Sequence, residues 1–405
     1  MMPGRSSRGP VLYICYQGVA EPLTQTQVVA YLEGLALAGY QVILLTFEPR
    51  RLLFGEERAW RSRLSQRGIV WHWIRYHKSP RIPATTWDVL NGALHGARLA
   101  RRYKVKAVHA RAHVAGLMAL QIKRLTGARF LFDVRGFMAE EYSDAGVLKR
   151  DGAVFRLVKR MERHLVRSAD AIVVLTGKAR TLLHEWYGPE LRGKSIAVIP
   201  CCVDMRVWQE PEAHRPFDGN RPMVFVYVGK LGGWYLTDAM TAFVATAKDR
   251  LGSLRWHVWT QSDPTVLGGF VRERGLEADV VIGSMPPEAL APRVASGDAG
   301  LSFITQCLSK QASSPTKVGE YLAAGLPVVA TGGVGDVDDL LRHARVGVVV
   351  PELTTMGYLK AVEEIVALAS DPDTMRRCRA VARESLDLEG VGWARYRKVY
   401  GELIG

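Results

Sequence analysis

The sequence has few cysteines, and their spacing suits neither disulfide bonds nor a metal site. It contains five, at positions 15, 201, 202, 307 and 378, and no pair has the C-x-x-C spacing of a zinc or redox site. Cys201 and Cys202 are adjacent, which is a poor geometry for a bond between them. We therefore expect no disulfide framework and no metal site, and a reducing compartment such as the cytoplasm fits this pattern.

Long apolar runs are also missing. No segment approaches the ~18 consecutive apolar residues that a membrane-spanning helix needs. The N-terminus, MMPGRSSRGPVLYICY, is basic but lacks the long apolar core and small-residue cleavage site of a signal peptide. With 48% hydrophobic and 23% charged residues, the composition is that of a soluble globular protein. We expect a cytoplasmic chain that would reach a membrane only as a peripheral protein.

Acidic residues are scarce in the first half of the chain. Residues 1–200 hold 32 Lys and Arg against 15 Asp and Glu, a balance of +17, whereas residues 201–405 hold 22 against 25, a balance of −3. A solvated surface would account for the basic excess, and so would an anionic partner such as a membrane face, a phosphorylated substrate or a nucleic acid. Because no nucleic-acid-binding motif is present and the second half is not basic, we expect no nucleic-acid partner.

Two segments of the first half concentrate basic side chains. Residues 59–78, AWRSRLSQRGIVWHWIRYHK, mix them with aromatic rings, and residues 156–167, RLVKRMERHLVR, form a second basic segment. Both could be the solvated faces of ordinary helices and strands. Aromatic rings with basic neighbours also suit a membrane headgroup region or a lipid-linked acceptor, so an anionic membrane surface stays a hypothesis.

Strand and helix patterns alternate along the chain. Apolar strands such as VLYICY (11–16) and QVILLTFE (41–48) are separated by amphipathic helices. The pattern stops over residues 205–222, which contain three prolines, and resumes at MVFVYV (223–228). Continuous apolar strands alternating with helices imply parallel sheets covered on both faces. We predict an α/β protein of two Rossmann-like domains, residues 1–204 and 205–389, that face each other across a cleft.

The segment SSPTKVGEYLAAGLPVVATGGVGD, residues 313–336, carries the clearest indication of a binding site. Ser314 followed by Pro315 is typical of a helix start, at which the serine side chain caps free backbone amides. Helix starts at the carboxyl edge of a parallel sheet face ligands, and their free amides suit a phosphate. Lys317 lies in the first turn, where its charge is unfavourable for the helix dipole unless an anion binds there.

Glu320 shares the helix face of Lys317, one turn further on. Its carboxylate could accept both hydrogens of a ribose diol while Lys317 and the helix start hold phosphates. Gly319, between them, would let a ligand approach the backbone. A surface ion pair on a helix would explain the same spacing, so the residues alone leave both interpretations open.

These motifs resemble those of the retaining, nucleotide-sugar-dependent glycosyltransferases of the GT-B fold, group 1. SPTKVGEYLAAGLPVVAT looks like the signature of that family, and IPCCVD (199–204) is similar to its IPNGVD at the domain junction. YVGKLGGWYLTDAM (227–240) stands in the place of its phosphate loop, and residues 281–303 match its segment around the nucleotide base. The resemblance covers nearly the whole chain and implies a GT-B fold whose C-terminal helix, about 390–405, returns to the first domain.

The resemblance also implies roles for individual residues. Glu320 matches the second glutamate of the family's EX7E motif, which binds the ribose, whereas Ala312 stands where the first, sugar-holding glutamate is expected. Lys230 matches the basic residue after the first strand of the second domain, and Lys317 would supply the positive charge of the missing partner lysine. The further nucleotide-sugar contacts expected are Ser314, Thr316, Gly283 and Gly319.

The implied reaction moves a sugar from a UDP- or GDP-sugar to an acceptor without a further cofactor. The barrier is largely charge developing on the leaving phosphate, which Lys230, Lys317 and the helix start would stabilise. The sequence shows no DxD-like metal motif in a suitable loop, which fits a metal-independent mechanism. As the family implies, the configuration is retained through an oxocarbenium-like transition state, and the leaving phosphate assists deprotonation of the acceptor.

Charged residues also follow two strands of the first domain. VHARAH (108–113) places His109 and Arg111 after one strand, and FDVRGFMAEEY (132–142) places Asp133, Arg135 and Glu140 after the next. A histidine at a strand end is more often structural than functional, but two adjacent charged loops favour a site. We predict that His109, counted as catalytic, and Arg135 contact donor or acceptor, with Arg111, Asp133 and Glu140 as further sugar-binding candidates.

The predicted function is a glycosyltransferase of surface polysaccharide or glycolipid biosynthesis that acts on a sugar, glycolipid or lipid-linked acceptor. Two alternatives stay open. One is a sugar-nucleotide epimerase of the same two-domain shape. The other is an inactive nucleotide- or carbohydrate-binding protein, suggested by Ala312 and the altered phosphate loop.

Overall fold

Each half of the chain is built on its own parallel sheet. The computed structural model describes residues 8–210 and 216–405. The chain divides into two units, one formed by Met1–Pro200 with Leu388–Gly405 and the other by Cys201–Asp387.

Within the described residues, the sheet of the first unit has seven strands, in the order β3-β2-β1-β4-β5-β6-β7, all parallel. These strands are β1 (Pro10–Cys15), β2 (Gln41–Glu48), β3 (Ile69–Arg75), β4 (Ala107–Arg111), β5 (Arg129–Val134), β6 (Ala171–Val174) and β7 (Ser195–Val198). The central strands are apolar and buried almost throughout, because helices cover both faces. The order reverses between β1 and β4, and in such sheets ligands bind at the carboxyl edge near this reversal.

The helices of the first unit lie between these strands. They are α1 (Pro22–Thr24), α2 (Ala30–Leu37), α3 (Phe54–Gln66), α4 (Arg81–Arg102), α5 (Ala112–Thr126), α6 (Met138–Asp144), α7 (Ala153–Ser168) and α8 (Gly177–Tyr187). A π-helical turn, Gln25–Val29, joins α1 to α2. Helix α4 packs tightly because it turns small residues inward: a Cβ atom at Gly92 would lie 2.6 Å from the Met118 sulfur, and one at Gly96 would lie 2.5 Å from Ile122 Cδ1.

The second unit repeats this plan with a sheet that has six strands in its described part, in the order β10-β9-β8-β11-β12-β13. The strands are β8 (Met223–Val228), β9 (Leu254–Trp259), β10 (Val280–Gly283), β11 (Ala299–Ser302), β12 (Val328–Thr331) and β13 (Gly347–Val350). The helices are α9 (Thr237–Leu251), α10 (Thr265–Glu273), α11 (Pro287–Ala295), α12 (Thr316–Ala323), α13 (Val337–His343), α14 (Thr355–Ser370) and α15 (Thr374–Val381). Two apolar clusters fill the space between this sheet and its helices.

The C-terminal helix α16 (Ala394–Ile404) belongs to the first unit, as predicted. It follows a π-helical turn, Leu388–Trp393. The Trp393 indole N–H donates to the backbone carbonyl of Ala30 at 2.9 Å. Gly34 makes room for this ring, since a Cβ atom there would lie 2.2 Å from Trp393 Cγ. No helix among the described residues is long and apolar enough to cross a membrane.

Candidate functional site

Helix α12 starts where the sequence predicts, but its start is built differently. Pro315 occupies the capping position in an extended conformation, with φ −67° and ψ 118°, and no side chain of the described residues caps the helix. The predicted cap by Ser314 is therefore wrong. Its hydroxyl oxygen instead accepts the backbone N–H of Cys201 at 3.1 Å, which fastens the loop to the start of the second unit. Thr316 is the first helical residue and is partly buried.

Lys317 lies in a buried aromatic box. Its side chain is 5% exposed, and its Nζ lies 4.1 Å from the ring centroid of Tyr227 and 4.3 Å from that of Tyr235. Gly229 closes a third side, because a Cβ atom there would lie 2.9 Å from Nζ. Among the residues described, Nζ has no hydrogen-bond partner. The rings supply a cation–π contact but leave the N–H donors of the ammonium group unused.

Neither charge of the Lys317–Glu320 pair is neutralised by the other. The surface ion pair that the spacing also allowed does not form, because Lys317 is buried; the two charges still favour each other, but less than burial opposes them. Burial lowers the pKa of Lys317 to about 7, and the nearby Glu320 opposes this shift. Burial likewise raises the pKa of Glu320 to about 7, and Lys317 opposes it. Both charged forms are destabilised here, so a ligand that pairs with them would be bound strongly.

Gly319 and Glu320, the second and third residues after Lys317, differ in accessibility. Glu320 is only partly buried. Gly319 is buried, and a Cβ atom there would lie 3.5 Å from both Leu386 and Val203. The side chains of Leu386 and Val203 therefore cover the backbone at Gly319. The prediction that Gly319 opens the backbone to a ligand is wrong.

Lys230 lies next to the box, on the glycine-rich loop after β8. Its side chain is exposed, and its backbone carbonyl accepts the Tyr227 hydroxyl. Gly229 has a φ of +134°, a conformation that favours glycine. Because Gly229 touches Lys317 and precedes Lys230, the structure brings both predicted lysines to one end of the sheet.

A third lysine, which the sequence reasoning missed, lies in the same region. Lys310 is buried on the loop before α12, and its Nζ lies 3.9 Å from the ring centroid of Trp234. The loops are tied together, since the Thr305 N–H donates to the Trp234 carbonyl at 2.9 Å. The pattern LSKQASSPTK, with a lysine seven residues before Lys317, was the available signal. Ala312, where the family has a glutamate, is buried at the end of the short helical turn Leu308–Ala312.

Gly283 is placed at the end of β10 and packs against a neighbouring strand. A Cβ atom there would lie 2.8 Å from Cζ3 of Trp259, so glycine is needed for the packing of this ring. The indole N–H of Trp259 has no hydrogen-bond partner within the described residues. A role for Gly283 in nucleotide binding stays a prediction.

In the first unit, His109 is enclosed by aromatic side chains. Its ring is 1% exposed, lies 4.2 Å from the Tyr13 ring, and places Nδ1 2.7 Å from the Tyr400 hydroxyl. Tyr396, from the same C-terminal helix, donates to Oδ2 of Asp133 at 3.3 Å, and Nε2 of His109 lies 3.6 Å from that oxygen. The expectation that His109 contacts a substrate is wrong for this structure, because helix α16 covers it.

The charges in this cluster are balanced internally. Burial opposes ionisation of Asp133, but Arg135, His109 and Arg111 together outweigh it and lower the pKa of Asp133 to about 2. Burial lowers the pKa of His109, opposed by Asp133. A neutral imidazole thus lies beside a carboxylate whose closest cation is Arg135, 3.6 Å away. Asp133 is fully buried, so it too is withdrawn from direct contact with a sugar.

The remaining candidates of the first unit divide into two kinds. Glu140 is buried and pairs with Lys159 at 2.9 Å, within a network that also contains Glu162, so the structure gives it an internal partner instead of a sugar. Arg111 ends β4 and is only partly buried, and its Nη1 makes no hydrogen bond to any described residue. Arg111 therefore stays a candidate for substrate contact.

Residues 24–202 match the family model described as a glycosyl transferase 4-like domain. No curated protein matches the sequence. Among solved structures, sucrose-phosphate synthase from Thermosynechococcus elongatus has a TM-score of 0.74 at 15% identity, over 98% of this chain and 99% of that chain. A glycosyltransferase from Rickettsia africae ESF-5 has a TM-score of 0.72 at 13% identity, over 99% of both chains. Alr3699/HepE from Anabaena, in complex with UDP and glucose, has a TM-score of 0.65 at 11% identity, over 97% of this chain and 100% of that chain.

At these identities, the structural matches establish the fold. Two Rossmann-like α/β units with such neighbours are the GT-B architecture, so the predicted fold class is confirmed. The resemblance noted in the sequence is confirmed as well, since the matched domain and the similar structures are of one type. This chain thus has the GT-B fold, and its residues 24–202 match the glycosyl transferase 4-like domain model.

Proposed function

We propose that the protein transfers a sugar from a nucleoside diphosphate sugar to a hydroxyl-bearing acceptor, with retention of configuration and without a metal ion. The observation that carries this proposal is the buried Lys317 ammonium group, which has no hydrogen-bond partner in the described part of the chain. Such a group costs stability unless a ligand satisfies it. It lies in the first turn of α12, where an anion is favoured by the helix dipole.

The leaving diphosphate is the anion that fits this position. In breaking the bond between sugar and phosphate, negative charge develops on the phosphate oxygen, and a fixed cation in a dry site stabilises that charge. Lys317 supplies the buried cation, and Lys230 supplies an exposed one beside it. The two lysines take the part that a metal ion plays in other transferases.

Tyr235 has to move for the phosphate to reach Lys317. Its ring lies over Nζ at 4.3 Å, and Nζ has almost no exposed surface. Tyr235 lies on the loop between β8 and α9, which contains Gly232 and Gly233, both with positive φ. We propose that this loop shifts when the donor binds, so that a phosphate oxygen replaces the ring.

Glu320 is proposed to hold the ribose of the nucleotide. Glu320 is partly accessible and lies one helical turn beyond Lys317. Alr3699/HepE of similar fold has been solved with UDP and with UDP-glucose, so a UDP-sugar is the first donor to test. The epimerase alternative is not favoured by the similar structures.

We further propose that the acceptor is lipid-linked and that the first unit docks on an anionic membrane. Residues 59–78 are shared between α3 and β3, and the Trp71 ring is buried, so that ring does not meet a headgroup. The membrane hypothesis for the rest of this segment stays a prediction. Helix α4 offers a separate apolar surface, since its glycines turn inward and its large apolar side chains turn outward. Four of these are more than half exposed: Ile82, Trp87, Leu90 and Leu94. Exposed Arg81, Arg98 and Arg101 on the same helix suit anionic lipids.

The transferase proposal is tested by following UDP release from UDP-sugars, with and without a panel of sugar and glycolipid acceptors. We expect release that depends on an acceptor and is abolished in Lys317→Met. Tight donor binding without release for any acceptor would instead support the inactive binding protein that Ala312 suggests.

The membrane proposal is tested by flotation with vesicles that contain an anionic lipid. We expect binding that falls with added salt and is lost in the double variant Leu90→Ser, Leu94→Ser. Leu125→Ser is the matched control, because Leu125 is a similarly exposed leucine on helix α5. Equal loss in the control, or no binding by the unmodified protein, would contradict the proposal.

A further inference from the structure

A histidine outside the groups considered so far lies at the carboxyl edge of the first sheet. His77 follows strand β3, and Asp88 lies two turns into helix α4. The His77 Nδ1 lies 2.6 Å from Oδ1 of Asp88, and the backbone N–H of His77 donates to Oδ2 at 3.0 Å. The two contacts hold the loop after β3 against the helix.

Asp88 is fully buried and completely satisfied. Besides the two contacts from His77, its Oδ2 accepts the hydroxyl of Tyr16, which follows strand β1, at 2.7 Å. Three donors therefore converge on one buried carboxylate. Because a carboxylate only accepts, Nδ1 of His77 carries the hydrogen of this contact, and in the neutral form of the ring Nε2 is an acceptor.

The Nε2 side of the ring faces away from this network. The side chain of His77 is 38% exposed, and Nε2 makes no hydrogen bond to any residue that the structure describes. Clamping the loop to α4 requires only Nδ1 and the backbone N–H. The buried carboxylate thus fixes the tautomer of a ring whose second nitrogen has no role inside the fold.

We infer that Nε2 of His77 accepts a hydrogen bond from a hydroxyl group of the acceptor, and that Asp88 is a positioning residue that fixes the tautomer and orientation of the ring. A sugar hydroxyl suits this nitrogen, because a hydroxyl can donate a hydrogen bond to it. The site lies at the carboxyl edge of strands β1 and β3, the edge at which doubly wound sheets bind ligands. This inference rests on the proposed function and adds to it an acceptor-recognition site in the first unit.

Two substitutions separate this role from the clamp. In His77→Asn the amide nitrogen can take the place of Nδ1 and donate to Asp88, but nothing replaces Nε2. In His77→Gln the amide reaches the place of Nε2 but no longer matches Nδ1. A recognition role predicts that Asn is the damaging change, whereas a purely structural role predicts that Gln is the damaging change.

The experiment uses the full chain with ¹⁵N-labelled histidine and octyl glucoside, galactoside and mannoside below their micelle concentrations. We expect at least one glycoside to shift the Nε2 resonance of His77, which is identified by its loss in His77→Asn. Glycoside affinity, measured by calorimetry, should fall at least tenfold in His77→Asn and stay within threefold in His77→Gln. With the deoxy-glycoside that lacks the contacting hydroxyl, the effect of His77→Asn should disappear.

The inference is overturned if no glycoside of the panel shifts Nε2, or if both variants weaken binding equally. Thermal shift with UDP-glucose and GDP-mannose on the same samples tests the donor site independently. Donor binding without any glycoside effect at His77 would refute the acceptor contact and leave the donor proposal standing. A glycoside effect at His77 without binding of either nucleotide sugar would support the acceptor contact and refute the donor proposal.

Discussion

The carboxyl edges of the two sheets hold similar residues in opposite states. In the first unit, His109 and Asp133 are buried and contact Tyr400 and Tyr396 of helix α16. In the second unit, Lys317 is also buried, at 5% exposure, but within the described residues its ammonium group has no hydrogen-bond partner. The chain supplies one hydroxyl partner each to His109 and Asp133, although His109 Nε2 and Asp133 Oδ1 make no hydrogen bond among the described residues. The same part of the chain supplies none to Lys317.

This difference shows how a strand-end charge should be judged. In the sequence, both sets of charged residues accompany the end of an apolar strand, directly for Asp133 and only after a loop for Lys317. We expect a structural residue to have at least one hydrogen-bond partner from its own chain, as His109 and Asp133 do, and a binding residue to have none, as is the case for Lys317 among the described residues. Five predictions test this distinction.

Removing the charge of Lys317 should separate activity from stability. We expect Lys317→Met to lower kcat/KM for UDP-sugar by about 10²–10³-fold, the usual cost of losing one group that stabilises transition-state charge. The free energy of unfolding should stay equal or rise, because a buried cation without a hydrogen bond is replaced by an apolar side chain of similar length. Kinetics and urea denaturation measure both quantities. A large loss of stability would place Lys317 with the structural residues.

His109→Ala should give the opposite result. We expect the free energy of unfolding to fall by about 2–4 kcal/mol, since the substitution leaves a cavity and removes a buried partner of Tyr400. Affinity for UDP, measured by calorimetry, should not change. Weaker UDP binding at unchanged stability would restore the functional role that the sequence suggested.

Glu320→Ala should weaken the binding of UDP by about tenfold, which is roughly 1.4 kcal/mol. The reason is that the substitution removes two hydrogen bonds to the ribose. The same change should leave UDP and the 2′,3′-dideoxy analogue with equal affinity, since the variant cannot sense the diol. Calorimetry with both nucleotides decides the question. An undiminished preference for UDP over the analogue would show that the ribose binds elsewhere.

The affinity for UDP should also depend on pH, with a maximum near 7. Burial lowers the pKa of Lys317 to about 7, so above that value the lysine is increasingly neutral and affinity should fall by up to tenfold per pH unit. Burial raises the pKa of Glu320 to about 7, so below that value its carboxyl is increasingly protonated and affinity should fall again. Lys317→Met should remove the alkaline fall and Glu320→Ala the acidic fall. A flat profile in the unmodified protein would contradict both assignments.

The free energy of unfolding should also depend on pH, through His109 in the first unit. Burial lowers the pKa of His109, so below the unfolded value of about 6.5 the unfolded chain binds a proton that the folded chain does not. The contribution of the neutral, buried ring is therefore complete above that pH and is lost as the pH falls. This dependence should be absent from His109→Ala.

Much of the fold could be predicted from the sequence. Apolar strands alternating with amphipathic helices gave both parallel sheets, and the segment around Lys317 gave a helix start at the carboxyl edge of the second sheet. The aromatic box could not be predicted, because Tyr227, Tyr235 and Lys317 are distant in sequence and meet only through packing. The burial of His109 depends on Tyr396 and Tyr400, almost three hundred residues away. The exposed ridge of α4 was missed because its glycines reverse the usual relation between size and burial.

Helix α16 also has a consequence for how the protein is made. Its tyrosines complete the core of the first unit, yet residues 388–405 leave the ribosome only after the whole of the second unit. Domains generally fold as units during synthesis, with the N-terminal one first. The first unit cannot complete its folding in that order. His109 and Asp133 hydrogen-bond to the hydroxyls of Tyr400 and Tyr396, which are translated last. The second unit is complete before the first, and a chain interrupted ahead of residue 388 would release a folded second unit tethered to an unfinished one.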